Sequence, residues 1–90
     1  MCSPIDRKLK SQGYAKISED EYGAVYVRVE HFGHTELRIY HSSDDVLIES
    51  VHVLTEQNGN QTVIPYAISL KILKLADRKI REMKQKYNWS

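Results

Sequence analysis

Ala24-Val25-Tyr26-Val27-Arg28-Val29-Glu30 alternates valine with polar or amphipathic residues, and Thr35-Glu36-Leu37-Arg38-Ile39-Tyr40 repeats the pattern after a short gap holding His31, Phe32 and Gly33. A period of two is the mark of a half-buried strand, and two such runs this close form an antiparallel hairpin. A three-residue loop with Gly33 in the left-handed third position sets Val27 opposite Leu37 and Val25 opposite Ile39 on one face. Arg28 then opposes Glu36, Tyr26 opposes Arg38 and Glu30 opposes His34 on the other face. A slip of one residue would set valines against charges, so this register is the expected one.

Reading outward, Ser42-Ser43-Asp44-Asp45 is turn chemistry, and a four-residue loop there brings Val46 opposite His41, Ile48 opposite Ile39 and Glu49 opposite Arg38. The strand that follows is apolar on both sides, with Leu47, Val51 and Val53 on one and Val46, Ile48 and Leu54 on the other. That pattern implies either a bulge or an outer face covered by a partner. Asn58-Gly59 predicts a two-residue type I′ turn joining residues 51–55 to 61–66, with Pro65 suited to the end of an edge strand. Upstream lie a short strand over 14–18 and a solvated acidic turn, Glu19-Asp20-Glu21, leading to Gly23.

The two ends are helical. Ser3-Pro4-Ile5-Asp6 reads as a capped start and Gly13 as a stop, with Ile5 and Leu9 on one docking face. Over 68–88, Leu73, Ala76, Ile80, Met83 and Tyr87 recur at spacings of 3 and 4, while Lys71, Lys74, Arg78, Arg81 and Gln85 do the same on the opposite side. The predicted fold is therefore α+β: an antiparallel meander of four to five strands (14–66), a short N-terminal helix (3–12) and a long basic amphipathic helix (68–88), one domain over 1–90. Val25, Val27, Leu37, Ile39, Ile48 and Leu54 should pack against Leu73, Ala76, Ile80 and Met83.

Composition fits that scale. Ninety residues, 41 % hydrophobic and 28 % charged, suffice for one core and too few for two. Cys2 is the only cysteine, so no internal disulfide forms and a reducing, cytoplasmic setting is expected. No run approaches the roughly 18 apolar residues of a membrane span, and the charges in residues 1–10 do not suit a signal peptide. Residues 1–69 carry six Lys/Arg against ten acids, whereas residues 70–90 carry seven against two. An acidic body thus bears a basic helix, a polarity that concerns partners.

The residues point away from catalysis. No nucleophile sits in a recognisable motif, no glycine-rich phosphate cradle occurs, and His31, His34, His41 and His52 are spaced so that no metal-ligand set forms. No enzyme, cofactor, metal or small-molecule substrate is inferred. Binding is another matter. Tyr26, Arg28, Arg38 and Tyr40 would cluster on the polar sheet face, two aromatics beside two guanidiniums, while Lys71, Lys74, Arg78 and Arg81 form a cationic stripe. Trp89 is either core or, if displayed, an interface anchor. The expected function is a small non-catalytic binding or regulatory protein acting on another protein or on a second copy of itself. Small inhibitors made by phages and mobile elements share this scale and style. The alternative is a nucleic-acid-binding module using the basic helix, against which stands an overall pI of only 7.9.

Overall fold

The computed structural model describes residues 3–42 and 44–89. Along the chain run α1 (Pro4–Ser11), β1 (Ala15–Asp20), β2 (Gly23–Glu30), β3 (Gly33–Ser42), β4 (Asp45–Thr55), β5 (Gln61–Pro65) and α2 (Leu70–Tyr87). The strands form one antiparallel meander in the order β1-β2-β3-β4-β5, and both helices pack on the same face of it, giving the α+β architecture. Ser3 caps α1 by accepting the Asp6 N–H at 3.1 Å, and Pro65 ends the edge strand. Cys2 lies outside the described residues.

β3 and β4 pair as the turn chemistry predicts, with His41 opposite Val46, Ile39 opposite Ile48 and Arg38 opposite Glu49. β4 runs its whole length against β3 without a register shift, so its two apolar sides are real. The sheet's irregularity lies instead in β1, between Lys16 and Ser18.

β2 departs from the expected register by one residue. Its turn holds only His31 and Phe32, Tyr26 lies opposite Leu37 and Val25 opposite Arg38, so every β2 side chain changes face. Gly33 supplies the reason. A Cβ there would collide with the Val53 carbonyl oxygen on β4, so this glycine serves strand packing inside β3 and not the loop. A left-handed third residue occurs in the β4–β5 connection, residues 56–60: the Glu56 N–H donates to the Asn60 carbonyl at 2.8 Å around Gln57, Asn58 and Gly59, and Gly59, with φ 88°, donates its N–H to the Glu56 carbonyl at 3.0 Å. That connection replaces the expected two-residue Asn58-Gly59 turn.

The core follows from this register. Ala24, Tyr26, Leu37 and Ile39 face Ile5 and Leu9 of α1 and Ile72, Leu75, Ala76 and Met83 of α2. Val25 and Val27, expected here, line the opposite open face. Helix α2 is turned as well: Leu73 is 38 % exposed and Ile80 and Tyr87 only half-buried, while Ile72, Leu75 and Lys79 point inward.

Lys79 explains the rotation. Its side chain is 1 % exposed, and its Nζ lies 2.6 Å from a Glu19 carboxylate oxygen, 2.6 Å from Glu82 and 3.1 Å from Asp6. Asp6 also takes Lys16 at 2.9 Å and accepts the Tyr26 hydroxyl at 2.5 Å. Glu19 adds Lys16, Lys86 and the Tyr87 hydroxyl at 3.1, 2.8 and 2.7 Å. Glu19 is thus buried among cations and is no part of a solvated turn. Burial pushes the Asp6 and Glu19 carboxyls up, but the hydrogen bonds from lysines and tyrosines outweigh it and hold both below their ordinary values. Burial likewise lowers the Lys79 ammonium's affinity for its proton, and the three carboxylates more than restore it.

Beyond α2, Asn88 adopts a left-handed conformation and turns Trp89 back onto the sheet. The indole is 7 % exposed, stacks on His41 with ring centres 4.6 Å apart and donates its N–H to the Glu21 carbonyl at 2.7 Å. Trp89 is therefore a core residue and no displayed anchor.

Candidate functional site

Helices α1 and α2 lie together on the sheet, and between them runs a groove of about 430 Å³ lined by Lys8, Ser11, Gln12, Lys71, Lys74, Leu75 and Arg78. Each wall follows from helical spacing: residues 8, 11 and 12 share one side of α1, and 71, 74, 75 and 78 one side of α2. The inward turn of α2 puts buried Leu75 at the floor and swings its basic neighbours to the rim.

The rim is unneutralised. Lys16, Arg28, Arg38, Lys79, Arg81 and Lys86 each hold a carboxylate. Lys8, Lys71, Lys74 and Arg78 have none among the described residues. Lys71 and Lys74 also stand in the first turns of α2, where the helix dipole adds positive potential. An apolar floor beside unpaired cations strengthens that field by excluding water.

Of the residues singled out from sequence, Lys71, Lys74 and Arg78 meet in this groove. Arg81 does not, since Asp77 binds it at 3.0 Å. Lys8, which no periodic stripe in the sequence marks, completes the rim from the basic last turn of α1. The expected quartet on the sheet is split by the register. Tyr26 is fully buried and Arg28 turns to the helix side, with its guanidinium 4.9 Å from the Tyr14 ring centre and its Nε on Glu30 at 2.8 Å. Arg38 and Tyr40 stay on the open face.

That open face is the second surface. His34, Glu36, Arg38 and Glu49 form a chain of contacts at 2.8–2.9 Å across it, lying over Val51 and Val53, which are consequently buried without any covering element. Around this chain Val29, Leu47 and Val63 remain exposed. Burial raises the Glu36 carboxyl, and the bonds from His34 and Arg38 outweigh it and lower it.

The histidines are dispersed: His31 rests on Phe32, His34 on Glu36, His41 on Trp89, and His52 between Thr35 and Tyr66. Among the described residues no three metal-ligating side chains come together, and no helix is long and apolar enough to cross a membrane. Comparison with protein-family models, curated proteins and solved structures finds no match to this chain.

Proposed function

We propose that this chain is a non-catalytic binding protein that holds an acidic, amphipathic segment of a partner protein in the groove between α1 and α2. The observation that carries the reading is the convergence of four unpaired cations, Lys8, Lys71, Lys74 and Arg78, on one groove beside Leu75; six other Lys/Arg are neutralised, and Arg7, Lys10 and Lys84, unpaired as well among the described residues, lie outside it. Buried Leu75 and the lysine stems offer a seat for one aliphatic side chain, and the rim offers charge for the acids beside it. Nucleic acid fits less well. No aromatic side chain lines the groove, and the tyrosine and arginine pairs that could stack bases are divided between two faces of the sheet.

A short peptide of Leu, Asp and Glu and a mixed-sequence single-stranded DNA of similar charge, each fluorescently tagged, separate the two. The peptide should bind and lose affinity about tenfold or more with Lys74→Glu plus Arg78→Glu, since each exposed cation contributes through a charge-assisted contact. Both side chains are exposed, so the thermal midpoint should hold. DNA that binds more tightly than the peptide, with a steep salt slope, would instead favour the nucleic-acid module.

A further inference from the structure

A second cavity, sharing no residue with the groove, measures about 290 Å³ and is walled by Tyr14, Arg28, Tyr66 and Ser69 with Ile68 and Ile72. Three observations mark it as a built site. Tyr14 is 4 % exposed, and its hydroxyl, which makes no hydrogen bond among the described residues, still reaches solvent, whereas the buried hydroxyls of Tyr26 and Thr35 are satisfied inside the protein. Burial of the ring keeps this phenol protonated and able to donate to a ligand that displaces the solvent there. Arg28 commits its Nε to Glu30, leaving both terminal nitrogens as donors. Ser69 caps α2 by accepting the Ile72 N–H at 3.2 Å, so its own O–H is free to donate, and the N–H groups of Leu70 and Lys71 begin the helix beside it without an intrahelical acceptor.

The walls are rich in donors and supply no carboxylate, and the one nearby acid, Glu30, is already bonded to Arg28 and to Thr35 at 3.2 Å. The ligand must therefore bring the acceptors. A guanidinium fork matches the plane of a carboxylate, and one guanidinium shared with Glu30 suits a single negative charge better than a phosphate dianion. The tyrosine rings and Ile68 and Ile72 suit a small flat apolar body, and the volume lies at the lower end of small-molecule sites. We propose that the cavity between Tyr14, Arg28 and the start of α2 binds a free monocarboxylate with a compact apolar body.

Benzoate is the probe and benzamide, its uncharged isostere, the control, followed by amide and arginine side-chain NMR shifts of the whole chain. Benzoate should give saturable shifts at Arg28 Nε–H and at the backbone N–H groups of Ser69 to Ile72, with benzamide weaker by about tenfold or more. Tyr14→Phe, which deletes the hydroxyl and keeps the ring under Arg28, should weaken benzoate by about three- to tenfold. Arg28→Gln should abolish it. Equal binding of benzamide, tighter binding of inorganic phosphate, shifts centred on Lys8 and Lys74, or unchanged affinity in a folded Tyr14→Phe variant would each overturn the assignment.

Discussion

A lysine ammonium removed from water would ordinarily give up its proton or drag its helix outward. At Lys79 three carboxylates replace the lost solvent, so the charge stays and the helix turns inward to bring it there. Removing only the cation leaves Asp6 and Glu19 buried against too little positive charge. Lys79→Met, which keeps the volume, should therefore lower unfolding free energy by about 3–5 kcal/mol in urea titrations. Adding Asp6→Asn should recover part of the loss; no recovery would mean the lysine acts through shape alone. Gly33 makes a comparable point without charge. Gly33→Ala forces a methyl into the Val53 carbonyl and should cost about 2–4 kcal/mol, while Gly59→Ala, with open space around it and only φ 88° to satisfy, should cost about 1 kcal/mol.

At the level of elements, the turn of α2 about its axis is checked by paired truncations. Ile72→Ala and Leu75→Ala should each cost about 2–4 kcal/mol, and Leu73→Ala well under 1 kcal/mol, the reverse of what the apolar stripe of the sequence implies. The helix was legible from its period and its charged outer side, because those are local properties. Its rotation was not. It depends on Asp6 and Glu19, two carboxylates distant in sequence that need a cation together while Tyr26 donates its hydroxyl to Asp6, and hydropathy ranks Lys79 as an outer residue. The strands were legible from period two and the order of hairpins from turn composition. The register of β2 hinged on whether Gly33 serves its loop or the neighbouring strand, and the Val53 carbonyl that decides this lies twenty residues further along the chain. Three of the four groove cations were visible as a stripe. Their distinction from Lys79, whose Asp6 and Glu19 partners are distant in sequence, exists only in three dimensions, whereas Arg81 pairs with Asp77 one turn away on its own helix.

For the whole molecule, the ion cluster sets the pH range. Asp6 and Glu19 titrate lower in the folded state than in the unfolded chain, so the stability they contribute is complete above the unfolded carboxylate values and is lost as pH falls through the folded ones. Lys16, Lys79 and Tyr26 titrate higher when folded, so their contribution is complete below the unfolded values near pH 10 and is lost above them. Urea midpoints should hence be flat from about pH 5 to about pH 10 and fall on both sides. A maximum confined to acid pH would contradict the cluster as drawn. The same cluster has a consequence for how the chain is made. Bonds such as Tyr87 to Glu19 and Trp89 to Glu21 join residues 68 positions apart, so the meander leaves the ribosome long before the helix that neutralises and roofs it. Until residues 79–89 emerge, Asp6 and Glu19 lack Lys79 and Lys86, and the core lacks Met83 and Trp89. A nascent chain halted near residue 70 should then be held by chaperones and degraded faster than one carrying residues 1–90, because the meander closes only once residues 79–89 reach it.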